Sequence, residues 1–195
     1  MINRELYMEQ ITPFIDKPFV KVITGIRRCG KSVVLRLIRE ELLRRGVSED
    51  YIIYMNFESF EWIDMKEAKA LYAHIREATK ASGKYYILLD EIQEVTDWEK
   101  AVNAFLVDLD VDIYVTGSNS RLLSSEFSTY LAGRYVAFHI MTLSFREYLL
   151  FHDLPLTISV SDRKTEFLKY LRMGGFPAIH TANYDYLSLI HISEP

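Results

Sequence analysis

Residues Val20–Ser32 read VKVITGIRRCGKS. An apolar run of strand length, Val20–Thr24, enters a glycine turn, and the turn opens onto an amphipathic helical pattern. Gly25, Gly30, Lys31 and Ser32 stand in the G-x-x-x-x-G-K-[ST] spacing of a phosphate-binding loop. The residue types suit that chemistry. Glycines let the backbone bend tightly and present N–H groups to phosphate oxygens. The helix that follows aims its N-terminal partial positive charge at the same anion. Lys31 reaches β- and γ-phosphates, and the Ser32 hydroxyl suits Mg²⁺. The whole stretch Gly25, Ile26, Arg27, Arg28, Cys29, Gly30, Lys31, Ser32 and Val33 is therefore expected to wrap the phosphates of a nucleotide such as ATP.

Outward from this loop the chain alternates strand and helix. Ser32–Arg45 places Val34, Leu35, Ile38, Leu42 and Leu43 on one helical stripe, and Gly46 stops it. Ahead of the loop, residues 2–16 read as a short helix, punctuated by Pro13 and Pro18. Tyr51–Phe57 is a near-continuous apolar run, as expected of a strand covered on both faces. Met65–Ala81 reads as a helix and Tyr85–Leu89 as a buried strand. Asp97–Asp108 reads as a helix with Asp97 as N-cap. Val111–Thr116 and Tyr135–Met141 read as further strands. The pattern predicts an α/β fold, with helices layered on a mostly parallel central sheet. Ligands of such sheets bind beyond the carboxyl ends of the strands, so Thr24, Asp90 and Thr116 should end around one nucleotide.

Asp90 and Glu91 follow the apolar strand YYILL. An acid there suits Mg²⁺, usually through water. A neighbouring carboxylate can take a proton from an attacking water, a contribution of roughly 10²–10⁴-fold. Ser118 and Asn119, just after the strand that ends at Thr116, are candidates to orient that water or touch the γ-phosphate; the pattern does not choose between them, and a polar turn is the plain alternative. Arg134 is a candidate for stabilising transition-state charge, against the plain alternative of a surface arginine.

The remaining composition narrows the class. The 195 residues are 49% hydrophobic and 26% charged with a net charge of −4, which is globular and gives no global drive toward nucleic acid or acidic membranes. The single cysteine, Cys29, excludes an internal disulfide framework and fits a reducing cytoplasm. No apolar run is long enough to span a bilayer. The five histidines, His74, His139, His152, His180 and His191, show no metal-ligand spacing. From Leu143 the texture becomes helical, in SFREYLLF and RKTEFLKYLRM, until Gly174-Gly175 breaks it.

The ordered stretches GIRRCGKS, YYILLDEIQEVTDWEKAVN, DIYVTGSNSRLLSSEFSTYLAGRY, LSFREYL and YLRMGGFP resemble a large prokaryotic family of AAA-superfamily P-loop ATPases, generally known only as ATP-binding proteins. The resemblance covers most of residues 1–181. It implies an ASCE-type fold, with the strand ending at Thr116 between those ending at Thr24 and Asp90. Lys31 and Ser32 then match the Walker A residues, Asp90 and Glu91 match Walker B, and SNS matches the sensor region. It also implies that Arg134 recurs, that sites are commonly completed across subunit edges in a homo-oligomer, and that a C-terminal domain of unknown function, sometimes likened to nucleases, normally follows. The expected division is an ATPase core over 1–142 and a helical lid or start of a second domain over 143–186. The last nine residues, LSLIHISEP, look like the translation of a sequencing adapter and are left out of the fold. The function expected is Mg²⁺-dependent ATP hydrolysis coupled to an effector in that C-terminal region. A nucleotide-gated switch with little turnover and a nucleic-acid-processing ATPase are the alternatives.

Overall fold

The computed structural model describes residues 4–118 and 131–181. The five strands are β1 (Val20–Gly25), β2 (Ile52–Asn56), β3 (Tyr85–Asp90), β4 (Val111–Gly117) and β5 (Tyr135–Ile140). They form one sheet in the order β2-β3-β4-β1-β5, and every pairing among these described strands is parallel. β4 lies between β1 and β3, as the resemblance implies.

Parallel strands need long crossovers, and four helices supply them or precede them: α1 (Glu5–Ile11), α2 (Lys31–Arg44), α3 (Ala68–Ala78) and α4 (Trp98–Asp108). Strand alternation sorts the two faces of the sheet. Val20, Val22, Ile87, Leu89, Ile113 and Val115 share one core with Leu71 and Ile75 of α3 and Val102 and Phe105 of α4. The intervening residues, Lys21, Ile23, Leu88, Asp90, Tyr114 and Thr116, point to the opposite face. There α2 packs across β1, β3 and β4, burying Val34, Leu35, Leu37, Ile38 and Leu42.

Three details differ from the sequence reading. The run Tyr51–Phe57 is not a fully covered strand. β2 lies at the sheet edge, and of its residues only Met55 is buried. Its apolar character serves one-sided packing. Asp97 occupies the N-cap position but in a left-handed conformation (φ 57°) with no side-chain cap bond; its carboxylate instead accepts from Lys100 Nζ at 2.8 Å. The helix expected from Met65 starts at Ala68, because Phe60–Met65 forms tight 3₁₀ turns.

The chain divides into two compact units. One holds Glu5–Gly25 and Lys31–Ile140, and so the whole sheet. The described part of the other is Arg4, Ile26–Gly30 and residues 141–181. This second unit carries α5 (Phe145–Phe151), α6 (Val160–Met173) and α7 (Pro177–Thr181). α5 opens on a capping box, with Ser144 accepting from the Glu147 backbone and Glu147 accepting in return from that of Ser144. Phe145 meets Phe167 edge-on and Tyr148 meets Tyr170 at a tilt between α5 and α6, while Phe145–Tyr148 and Phe167–Tyr170 stack along their own helices. The GGFP turn closes on Leu143. The Gly175 carbonyl accepts from Leu143 N–H at 2.7 Å, and a Cβ on Gly175 would meet the Leu143 carbonyl at 2.5 Å. Two of the histidines that look scattered in sequence meet here. His180 donates from Nε2 to the Gly174 carbonyl at 2.8 Å, which leaves its Nδ1 to accept from His152 Nε2 at 3.2 Å. Burial and the neighbouring His180 hold the His152 pKa below the usual value.

Candidate functional site

The site in the sheet-bearing unit is built where β1, β3 and β4 end. Gly25 closes β1, and Lys31 begins α2. Lys31 is 4% exposed. Its Nζ lies 3.4 Å from the Gly25 carbonyl and 3.2 Å from Glu91 Oε1. Ser32 and Val33 follow in the first turn of α2, both half-buried.

Asp90 ends β3 and is fully buried. Hydroxyls hold both of its oxygens: Thr116 donates to Oδ1 at 2.5 Å and Tyr54 to Oδ2 at 3.0 Å. β3 and β4 are in register up to Leu89↔Val115, so Asp90 and Thr116 form the next pair on the α2 face. Burial, then the Asp90 charge, push the Tyr54 pKa upward, which keeps its phenol a donor. Asp90 is thus a buried carboxylate oriented by neutral donors, the hard oxygen type that Mg²⁺ takes.

Glu91 leaves β3 in a left-handed conformation (φ 54°, ψ 50°). Such backbone is costly for a residue with a Cβ and clusters at functional sites. Its N–H is anchored on Thr116 Oγ1 at 2.9 Å. Its carboxylate receives Lys31 on Oε1 and Gln93 Nε2 on Oε2 at 2.6 Å. Thr116 thus holds the Asp90 side chain and the Glu91 backbone with one hydroxyl.

The segment between Gly25 and Lys31 belongs to the second unit. Ile26, Arg27 and Arg28 are exposed and Cys29 is buried. Arg28 and Gly30 have positive φ, 66° and 106°. Arg4, 2% exposed, grips this turn. It donates from Nη1 to the Cys29 carbonyl at 2.9 Å, from Nη2 to the Met141 carbonyl at 2.9 Å, and from Nε to Glu147 Oε1 at 2.7 Å. A Cβ on Gly30 would lie 3.2 Å from Arg4 Nη1, a tight contact, and the positive φ by itself favours glycine there.

Among the sequence candidates, Lys31, Asp90 and Glu91 are brought together. Ser118 is half-buried directly after β4, and Asn119 lies outside the described residues. Arg134 does not join them. It precedes β5, where its carbonyl accepts from Val20 N–H at 2.8 Å. That is the starting end of β1, five register steps from Gly25, or about 17 Å. Its guanidinium is exposed and donates to Asn103 Oδ1 at 3.0 Å. There it lines a cavity of about 460 Å³ with Asp16, Lys17, Lys84 and Asp112. Within one chain Arg134 thus lies at the opposite end of β1 from Lys31, Asp90 and Glu91. Sequence reasoning misses Tyr54, Gln93 and Arg4 as site residues, and gives Thr116 a place beside the nucleotide but no role. Only Thr116 carried a usable signal, its place at the end of the strand next to β3.

A family model described as AAA domain matches residues 17–149. The chain belongs to that AAA family. Two curated relatives align over 184 residues each. An uncharacterized protein of Haemophilus influenzae is 43% identical, over 94% of this chain and 46% of its own length. The uncharacterized protein MJ1544 of Methanocaldococcus jannaschii is 35% identical, over 92% of this chain and 39% of its own. This AAA chain spans less than half the length of either. Among solved structures, AMPPCP-bound DnaA from Aquifex aeolicus superposes with a TM-score of 0.59 at 15% identity, over 99% of this chain and 63% of that one. That is a likeness of fold. Among the described residues, no helix of this AAA protein is long and apolar enough to cross a membrane.

Proposed function

We propose that this AAA chain is the nucleotide-hydrolysing part of a Mg²⁺-dependent ATPase. The observation that supports the reading is the convergence of Lys31, Asp90 and Glu91 at the ends of β1 and β3. In this reading Gly25–Val33 wraps the phosphates, Lys31 neutralises the β- and γ-phosphates, and Ser32 and Asp90 hold Mg²⁺. The metal supplies charge neutralisation across the phosphate oxygens. Glu91 takes a proton from the attacking water, and Ser118 or Asn119 helps orient it. When phosphate draws Lys31 away, Glu91 Oε1 becomes free to act as a base.

In the same reading, residues 1–142 form the ATPase core. Residues 143–186 are a helical region that transmits nucleotide state to an effector, a protein or nucleic-acid partner bound through a further C-terminal domain. The protein assembles as a homo-oligomer in the cytoplasm. The Lys31–Glu91 pairing also favours a second reading, a nucleotide-gated switch with little turnover, because it occupies the base before nucleotide binds. Phosphate release from Mg²⁺-ATP by the full-length protein separates the two. Sustained turnover that Glu91→Gln abolishes supports the ATPase; tight ATP binding without turnover supports the switch.

A further inference from the structure

Among the described residues, the only buried side-chain polar atom without a hydrogen-bond partner is Gln93 Oε1. The other end of that amide donates from Nε2 to Glu91 Oε2 at 2.6 Å. The reverse orientation would set the amide oxygen against a carboxylate oxygen, acceptor against acceptor, so Glu91 itself fixes which way the amide points. Buried acceptors are nearly always satisfied. Here the bare oxygen is the consequence of committing the nitrogen to Glu91.

We infer that Gln93 is the positioning residue for the Glu91 carboxylate. The two donors on Glu91 differ in permanence. Lys31, on Oε1, is a flexible cation that a phosphate can capture. Gln93 sits on the tight turn Ile92–Glu94, whose Ile92 is fully buried and whose first carbonyl, from Glu91, accepts from Glu94 N–H at 3.1 Å. It stays with Glu91 when Lys31 leaves. The carboxylate is then held by Oε2 and offers Oε1, the oxygen on the Lys31 side, as its basic atom. Without Gln93 the side chain rotates freely once Lys31 departs, and the base loses its aim. This rests on the ATPase reading above.

The test uses the full-length protein with Gln93→Leu, which removes the amide at similar volume, and Gln93→Glu, which keeps the shape but replaces the donor. Wild type and variants are compared by phosphate release, by calorimetric AMPPCP binding and by melting temperature without nucleotide. The expected result is a fall in kcat of about tenfold or more, the scale of a misaligned reacting group, with AMPPCP affinity within about twofold of wild type. Without nucleotide, the effect of Gln93→Leu on melting temperature should differ between the wild-type and Glu91→Ala backgrounds, as coupled neighbours require. If one variant fails to fold, the other decides. Unchanged kcat in a folded variant of a protein that turns ATP over would overturn the inference alone. So would parallel losses of kcat and AMPPCP affinity, or strictly additive melting shifts, since each marks a merely structural role. No turnover in wild type would overturn the ATPase reading, and this inference with it.

Discussion

Lys31 Nζ lies 3.2 Å from Glu91 Oε1, so the proposed phosphate-binding cation and the proposed base neutralise each other before nucleotide arrives. Binding ATP must break that pair, and the two substitutions should separate accordingly. Lys31→Ala should lose measurable ATP binding. Glu91→Gln should bind ATP a few-fold more tightly than wild type, because its Lys31 no longer has a carboxylate to leave, yet turn it over roughly 10²–10⁴-fold more slowly. Calorimetry and phosphate release check both. Wild-type turnover by Glu91→Gln would remove Glu91 as the base.

Arg4 donates to the Cys29 and Met141 carbonyls and to the Glu147 carboxylate. The planar fork of a guanidinium satisfies them together, whereas an ammonium cannot. Arg4→Ala should cost about 3 kcal/mol of stability, because it leaves Glu147 without its buried cation. It should also weaken ATP binding by roughly tenfold as the turn at Cys29 loosens. Arg4→Lys should recover little of either. Urea unfolding and calorimetry give the two numbers, and full recovery by lysine would reduce the role of Arg4 to charge alone.

Arg134 projects from the opposite end of the sheet to Lys31. If it acts on ATP at all, that ATP belongs to a neighbouring subunit, where an arginine is worth roughly 10³–10⁵ in rate. Arg134→Ala and Glu91→Gln should each be inactive alone, and mixing them in the full-length protein should restore ATPase activity. Mixtures shown to co-assemble that stay inactive at every ratio would leave Arg134 with its structural bonds only.

Lys21 is fully buried and ion-paired with Asp112, which also accepts from Tyr114 and from the Asp16 backbone. Burial is the larger influence on Lys21 and lowers its pKa from 10.5, although Asp112 opposes it. Asp112→Asn leaves an ammonium in the core and should cost about 3 kcal/mol at neutral pH. The sign of the pH dependence follows from the lowered pKa. The unfolded chain binds more protons in the window below 10.5, so the variant should regain stability as pH rises through its folded pKa toward that value. Denaturant melts at pH 7 and pH 9.5 test this. A deficit that does not shrink would mean that Lys21 stays charged in the variant.

The phosphate loop, the two carboxylates and the α/β layering were legible because each has a local signature: fixed spacing in GIRRCGKS, an apolar run before Asp90-Glu91, and alternation of strand and helix; the place of β4 between β1 and β3 came from the family resemblance alone. What stayed hidden depends on partners distant in sequence. Tyr54 and Asp90 are 36 residues apart, Arg4 and Glu147 are 143 apart, and no spacing rule joins them. Gln93 is two residues from Glu91 and was still missed, since only the left-handed backbone at Glu91 turns the two side chains together. The burial of β2 was overestimated because hydropathy does not tell a central strand from an edge one. The readings of Asn119 and of the last nine residues fall outside the described residues, and those stand as expectations.

The place of Arg4 ahead of α1 makes translation initiation a structural variable. Met8 lies inside α1. A polypeptide started there would retain VKVITGIRRCGKS and YYILLDE letter for letter, and a motif search would score it as whole. It would nonetheless lack the guanidinium that holds the Cys29 carbonyl. Choosing the start codon for an expression plasmid, or an affinity tag fused close to residue 4, is thus a choice about the shape of a loop more than twenty residues downstream.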